Sequence, residues 1–525
     1  MRSFSFLTRI PFPLGACALV LASGAAFGDD PPPSLSTVRV PIPPNIGIFV
    51  KNQTAAIELG KALFWDEQVG GDGRISCATC HFSAGADRRV TNTMHPGPDG
   101  IFDGVPAPGG TLTASHFPIA GDNIVGSQGI VGATFNSLDS NPANAADNCT
   151  PNPDGVFFPQ RRVTGRNTPT TIMAVFYRDN FWDGRAKRDF NGVTPLGISD
   201  PSAPKIFVNN GSGLQAQTVR IAPASAASQS VGPPNNDVEM SCAGRTFPLL
   251  GKKLLARTPL GLQVVAPTDS VLGSLSLFPS NGLNKTYPQM IAAAFQDNLH
   301  NSTQLTPSGA TQMEANFSLF WGLSILLYNS TLIPDETPFD QFREGNNAAL
   351  TANQQLGMDV FLNKGLCSAC HRGPEFTAAA IRSHSGGHAF ANIGVTPTAA
   401  DVGRQPENKG KFKTPTLRNV ELTGPYFHNG RYLTLRQVVD FYNRGGDVAN
   451  ANLHSQIRPL GLTVTERDAL VDFLLALTDE RVRFERAPFD RPSLAPPNGP
   501  VLQAVGAGGS VNPIPRFLDA DPFLP

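Results

Sequence analysis

The 525-residue chain has no methionine after Met358 and no excess of either charge, with 41 Lys and Arg against 42 Asp and Glu. Without a basic stripe, nucleic-acid binding has no electrostatic footing. Beyond the first 28 residues no segment is long and apolar enough to cross a bilayer, so no transmembrane segment is expected in the mature chain. Cysteine is scarce, at 7, and its placement is informative. What is abundant is glycine, at 51, and proline, at 47. In a chain with an ordinary 40% hydrophobic content, that excess predicts helices joined by long irregular connections. The length allows two or three domains with a large core.

Residues 1–28 read as a secretory signal peptide. Arg2 and Arg9 give a positive start, Leu14 to Phe27 an apolar stretch, and Ala26-Phe27-Gly28 a small-x-small cleavage site. Loss of the two arginines takes the net charge from −1 to −3. Leu14-Gly15-Ala16-Cys17 faintly resembles a lipoprotein box, but the apolar stretch continues past the cysteine. The expected location is the periplasm.

Four of the other cysteines fall in two runs of one pattern, Cys77-Ala78-Thr79-Cys80-His81 and Cys367-Ser368-Ala369-Cys370-His371. Two thiols at i and i+3 can each add to a haem vinyl group, and the adjacent histidine then meets the iron. C-x-x-C-H is the attachment signature of c-type haem. A zinc knuckle or a redox C-x-x-C beside a stray histidine is the competing reading. Cys149 and Cys242 remain, and an even remainder in an oxidising compartment suggests a disulfide, with two separate buried thiols as the alternative.

Along the chain, residues 31–50 are Pro-rich and expected to lie extended on the surface. Helices are expected at Thr54–Asp66, Phe247–Ala256, Pro288–Asn298, Gln312–Tyr328, Thr351–Asn363, Leu433–Tyr442 and Thr465–Leu477, the last with Thr465 as a cap candidate. Phe82 to Val163 and residues 187–240 are irregular, and such long loops are often functional. After Arg486 a Pro- and Gly-rich tail is expected to wrap the surface. An internal repeat underlies this order. Leu59-Gly60-x-x-Leu63-Phe64 before the first motif matches Leu356-Gly357-x-x-Val360-Phe361 before the second. Thr168 to Arg185 aligns without a gap to Thr414 to Arg431, placing Trp182 opposite His428.

These residues resemble the bacterial di-haem cytochrome c peroxidase and MauG superfamily. Leu59 to His81 is similar to its first haem segment, Phe181-Trp182-Asp183-Gly184-Arg185-Ala186 to its tryptophan motif, and Lys413 to Val420 with Pro425 to Gly430 to its C-terminal signature. The resemblance implies a mainly α fold, with two cytochrome c-like haem domains in tandem, long irregular loops and insertions. The division expected is 1–28 signal peptide, 29–340 N-terminal domain with the peroxidatic haem, 341–485 C-terminal domain with the electron-transfer haem, and 486–525 tail. Two covalently bound haem c groups are implied, held by Cys77, Cys80 and His81, and by Cys367, Cys370 and His371.

In the family's peroxidases the second haem takes a methionine from the C-terminal domain, which this chain lacks. Fourteen residues after His428 stands Tyr442, where MauG-like members use a tyrosine. A hard phenolate ligand favours ferric and higher states. His384, His388 or His454 is the alternative ligand. For the first haem the resemblance implies a Gln and, ten residues on, a Glu, and Gln229 with Glu239 keeps that spacing. Glu239 is then the acid/base and Gln229 its distal hydrogen-bonding partner. His95 and His116 stay loop histidines. Trp182 is implied as a relay between haems, and Asn167, Thr423 and Pro425 as neutral oxygen ligands of a Ca²⁺ ion.

The leading expectation is a periplasmic di-haem c-type peroxidase that reduces hydrogen peroxide with electrons from a small periplasmic donor, a cytochrome c or cupredoxin. The alternative turns the same chemistry outward, MauG-like, onto a protein or bulky organic substrate. A plain, non-catalytic di-haem electron-transfer cytochrome is the alternative from another class.

Overall fold

The fold, taken from a computed structural model, is described for residues 30–141, 143–404 and 408–525. The expected signal peptide lies outside the described residues. Among them the α-helices are α1 (Gln53–Trp65), α2 (Cys77–His81), α3 (Ser225–Ser230), α4 (Phe247–Leu255), α5 (Tyr287–Ala294), α6 (Gln312–Ala315), α7 (Phe317–Asn329), α8 (Pro338–Arg343), α9 (Ala352–Leu362), α10 (Gly386–Ala389), α11 (Leu435–Arg444), α12 (Val464–Leu475) and α13 (Glu480–Arg483). Five two-stranded antiparallel ribbons accompany them. They pair β1 (Met94–His95) with β2 (Ile124–Val125), β3 (Ala133–Ser137) with β4 (Asn148–Pro151), and β5 (Ile206–Asn209) with β6 (Leu214–Gln217). In the C-terminal half β7 (Phe390–Ala391) pairs with β10 (Phe412–Lys413), and β8 (Gly403–Arg404) with β9 (Asn408–Lys409). The content is therefore mixed rather than mainly α, because both long loops fold back on themselves as ribbons.

Two helix crossings organise the core, and the sequence repeat marks both. On α1, Gly60 lies against α7 so closely that a Cβ there would sit 2.0 Å from the Ser324 carbonyl oxygen. On α9, Gly357 meets α12 in the same way, with 1.9 Å to the Ala469 carbonyl. Only a residue without a side chain allows two backbones this near. The larger apolar cluster is built on α1, α3, α4, α5 and α7, with α7 buried along its whole length. The second is built on α9, α11 and α12, where Phe339, Phe361, Phe376 and Phe473 meet edge to face or tilted. Both expected helices before the haem motifs start on side-chain caps, Asn52 for α1 and Thr351 for α9.

The second repeat is a repeat of backbone conformation. Met173, Phe181 and Gly184 have φ of 73°, 61° and 70°, and their counterparts Asn419, Phe427 and Gly430 have 59°, 71° and 68°. Asn180 N–H donates to the Ala186 carbonyl, as Tyr426 N–H does to that of Tyr432.

Three expectations need correction. The span expected as one helix over Gln312–Tyr328 is broken at Asn316, whose side-chain amide donates to the Phe207 and Leu299 carbonyls and anchors the β5 ribbon there. The cap of α12 is Thr463, reciprocally bonded with Glu466, rather than Thr465. The tail after Arg486 does not merely wrap the surface. Asp490 is fully buried, accepts hydrogen bonds from Ser270 N–H (2.6 Å) and Oγ (2.5 Å), and lies 3.6 Å from the buried Lys61 ammonium of α1. Further on, Arg516 pairs with Glu421 at 2.6 Å, and Arg436 N–H donates to the Pro522 carbonyl. The tail thus runs from α1 to α11.

Candidate functional site

The first C-x-x-C-H run forms α2, started by Ser76, whose side chain and that of Thr79 cap each other's backbone N–H. One turn of helix places Cys77, Cys80 and His81 on a cavity of about 400 Å³. Neither cysteine is in a disulfide. His81 Nδ1 lies 2.7 Å from the Gly85 carbonyl; holding the proton there leaves Nε2 as the lone-pair donor, the arrangement of a metal-ligating histidine. Burial lowers the His81 pKa, so the ring stays neutral, as a ligand must be. Behind Cys80, the Arg89 guanidinium is held by Asp87 (2.6 Å) and reaches the Cys80 sulfur at 3.4 Å.

The same cavity is lined by Gln229, Glu239 and Trp182. Gln229 stands near the end of α3, where the indole of Trp321 donates to the Ser230 carbonyl (2.9 Å). Glu239 is set by the Asn236 side chain, whose oxygen accepts from the Val238 (2.8 Å) and Glu239 (3.1 Å) N–H groups. Gly129 allows the Glu239 segment to approach, since a Cβ there would lie 2.0 Å from the Val238 carbonyl. Desolvation raises the Glu239 carboxyl above its usual range, opposed by the Arg185 guanidinium on the same cavity wall. A carboxyl so raised can hold a proton nearer neutral pH and return it, which is what acid/base work needs. The Cys149–Cys242 disulfide clips the β3–β4 ribbon to the chain just after Glu239. That pairing gives the long loop a structural reason, because it braces the Glu239 segment.

Cys367, Cys370 and His371 line a second cavity, of about 200 Å³, and Tyr442 lines it too. His371 Nδ1 is shared between the Phe376 (3.2 Å) and Pro415 (3.1 Å) carbonyls. Burial lowers its pKa to about 4. The Tyr442 phenol is raised by burial first, and then by the Cys370 and Cys367 thiols, so it is near both. Its ring packs against Phe427 and Phe441, and its hydroxyl makes no hydrogen bond among the described residues. Two cysteines outside any disulfide, a neutral histidine and an oxygen donor on the same cavity fit a covalently attached haem. The alternative ligands His384, His388 and His454 do not line this cavity, nor do His95 and His116 line the first.

Trp182 lines both cavities. Its indole donates to the Asn167 carbonyl (2.8 Å), and its own carbonyl accepts from Lys413 N–H (2.7 Å). Asn167, Thr423 and Pro425 line the second cavity together. In the sequence His428 has a place in the C-terminal signature and opposite Trp182, but no role of its own. The structure places it in the second cavity wall, edge to face with Trp182 at 6.4 Å and stacked on Phe412 at 3.6 Å. The signal available was a histidine where the other repeat keeps an indole.

The profile of the di-haem cytochrome c peroxidase family matches residues 54–348, more than half of the chain, and the chain belongs to that family. It is a peroxidase-like oxidoreductase, and the family implies two haem c groups. Among curated relatives, the cytochrome-c peroxidase IdrP2 of Denitromonas iodatirespirans is 36% identical over 177 residues, 29% of this chain and 47% of that protein. IdrP1 of the same organism, also a cytochrome-c peroxidase, is 25% identical over 506 residues, 90% of this chain and 93% of its own. The cytochrome c551 peroxidase of Pseudomonas aeruginosa is 25% identical over 491 residues, with the same two coverages.

Proposed function

We propose that this protein is a periplasmic enzyme that reduces hydrogen peroxide to two waters, taking two electrons from a small redox protein and two protons from solvent. The observation that carries the reading is the inequality of the cavities: Glu239 and Gln229 stand on the first, and Tyr442 with neither of them on the second. When bound, each haem supplies an iron that exchanges single electrons, and one with a vacant coordination position also binds peroxide. Cys77, Cys80 and His81 would hold the first haem; Cys367, Cys370, His371 and Tyr442 would hold the second. A Glu239 carboxylate oxygen takes the proton from one peroxide oxygen and delivers it to the other, which leaves as water as the O–O bond breaks; the two electrons and two protons then release the remaining oxygen as the second water. The Gln229 amide orients the peroxide by hydrogen bonding. Trp182, in the wall of both cavities, shortens the path for electrons between them.

A Ca²⁺ ion belongs to this reading. Asn167 Nδ2 is spent on the Val125 carbonyl (3.1 Å), which frees Oδ1. The Thr423 and Pro425 carbonyls accept no hydrogen bond among the described residues. Three neutral oxygens suit a hard cation that completes its shell with water.

Tyr442 also supports the second reading, peroxide-dependent oxidation of a protein or bulky organic molecule. An anionic phenolate lowers the potential of the second haem relative to a thioether and makes it a poorer acceptor for donor electrons. Glu239→Gln tests what both share. The variant should keep near-normal haem spectra while its reaction with peroxide slows by ~10²-fold or more. Unchanged reactivity would put the proton shuttle elsewhere. Steady-state turnover with a reduced cytochrome or cupredoxin then separates the two readings.

A further inference from the structure

A run of aromatic rings leads away from His81, and the proposed reaction does not use it. Phe64 lines the first cavity, and a small cavity of about 40 Å³ next to it is lined by His81, Phe64, Trp65 and Tyr328. The Phe64 ring centroid lies 6.4 Å from that of His81, 6.0 Å from that of Trp65 and 5.6 Å from that of Tyr328. The Trp65 indole N–H donates to the Tyr328 hydroxyl at 3.2 Å, and both side chains are buried. The carboxylate and guanidinium in the wall of the small cavity, Glu485 and Arg491, pair with each other at 2.5 Å.

Packing alone does not call for this pair, because the second half of the chain builds the same helix crossing without it. A Cβ added to Gly60 would meet the Ser324 carbonyl oxygen and, at 2.9 Å, the Tyr328 Cβ; one added to Gly357 would meet the Ala469 carbonyl oxygen and, at 2.8 Å, the Phe473 Cβ. Tyr328 therefore stands where the second half has Phe473. Trp65, one residue after the matched Phe64, stands where the second half has Leu362. Tyrosine and tryptophan give up an electron far more readily than phenylalanine and leucine. The same frame thus carries an oxidisable pair beside His81 and an inert one in the half that holds His371.

Charge in the two halves differs in the same sense. Lys61, whose counterpart is Met358, faces two carboxylates, Asp269 at 2.8 Å and Asp490 at 3.6 Å, and all three side chains are fully buried. Asp269 Oδ2 accepts no hydrogen bond among the described residues, and both carboxylates act on the Tyr328 phenol. Two carboxylates sharing one ammonium, out of water, favour a positive charge on the neighbouring aromatic pair.

We propose that Trp65, hydrogen-bonded to Tyr328, is a one-electron store for the first haem site, oxidised when peroxide arrives before the second haem has been reduced. This role rests on the reading that peroxide reacts at the Cys77–His81 site, and it adds the source of the second electron in that state. Hydrogen peroxide takes two electrons, and two protons from solvent, to become two waters. One electron comes from the first haem and the other from the Trp65 indole, by way of Phe64 and His81. The indole is left as a radical cation that keeps its N–H proton, held in the hydrogen bond to the Tyr328 oxygen. A later electron from the redox partner restores it.

The test is electron paramagnetic resonance of the fully ferric holoprotein, frozen within milliseconds of mixing with an equivalent of hydrogen peroxide, with optical spectra of the same samples. The expected result is an organic radical signal that narrows in protein grown with ring-deuterated tryptophan and is lost in Trp65→Phe. Trp65→Leu, which copies Leu362 of the second half, should lose it too and serves if the phenylalanine variant does not fold. Tyr328→Phe, which copies Phe473, removes the acceptor of the indole N–H and should keep the signal but shorten its life. A signal that survives Trp65→Phe, or one that deuterated tryptophan leaves unchanged, would overturn the proposal. Haem spectra that respond to peroxide with no radical formed would also overturn it. Haem spectra that do not respond to peroxide at all would strike the peroxidase reading itself, and this role with it.

Discussion

Asp340→Asn should open the second haem site from behind. Asp340 and Arg418 are both fully buried and meet in a two-pronged ion pair at 2.7 and 2.9 Å. The carboxylate also accepts from Thr337 Oγ1 (2.5 Å) and Leu35 N–H (2.9 Å). Arg418 Nε donates to the Pro374 carbonyl at 2.7 Å, in the loop that supplies the Phe376 carbonyl to His371. Burial alone would raise the Asp340 pKa, but the hydrogen bonds and charge of Arg418 hold it below the usual carboxylate range. The ionised pair therefore stabilises the fold above the unfolded-state pKa, and that contribution is lost as pH falls through the lowered one. Replacing Asp340 by Asn keeps the shape and strands a buried guanidinium, which costs about 3–5 kcal/mol. Hydrogen exchange read by mass spectrometry over residues 371–380 and 415–425 reports the local opening. Exchange there should accelerate by roughly 10²–10⁴-fold. Asp340→Leu with Arg418→Met should recover most of the loss, since no charge is then left unpaired. A single variant within ~1 kcal/mol of wild type would refute the reasoning, because it would mean that water already reaches the pair.

Two other outcomes follow from the geometry. Tyr442→Phe should convert the absorption and magnetic spectra of the second haem and leave the first unchanged; no conversion would hand the ligand role to another residue. Glu67, which accepts the Ala495 N–H of the tail at 3.0 Å, is raised to about 7, chiefly by burial. A carboxyl raised by folding contributes stability that is complete below its unfolded pKa, and that stability is lost as pH rises through the folded value. Wild-type stability measured relative to Glu67→Gln should therefore decline by on the order of 3 kcal/mol between about pH 4.5 and pH 7 and level off above it. A flat difference across that window would show that Glu67 stays hydrated.

The helix crossings and the two C-x-x-C-H runs on their cavities were legible because each rests on local chemistry repeated in the chain. A Leu-Gly pair before each C-x-x-C-H run marks a close helix contact, and Gly60 and Gly357 meet their partners almost identically. The gapless match of Thr168–Arg185 to Thr414–Arg431 reflects three left-handed backbone positions that both copies must keep. The rest depended on contacts between distant segments, which leave no periodic trace. Asp490 docks near Lys61, and Asn316 breaks a helix to hold the β5 ribbon. Pro- and Gly-rich composition announced an extended tail, but said nothing of the buried carboxylate it carries. His428 appeared in sequence as a mismatch to Trp182, and only packing placed it in a cavity wall. The cap of α12 was legible in principle, since Thr463 and Glu466 have the spacing of a capping box.

The central claim is that two similar haem attachments serve unequal ends, with the Cys77–His81 haem open to peroxide and the Cys367–His371 haem closed by Tyr442. Electron paramagnetic resonance of the ferric holoprotein, repeated after one-electron reduction, tests it most directly. The account predicts a high-spin ferric signal from the first haem in the half-reduced protein, abolished or shifted by added peroxide, while the second haem shows no open-site signal in either state. Two low-spin ferric signals in the oxidised protein, with the first still low-spin after reduction of the second, would contradict it.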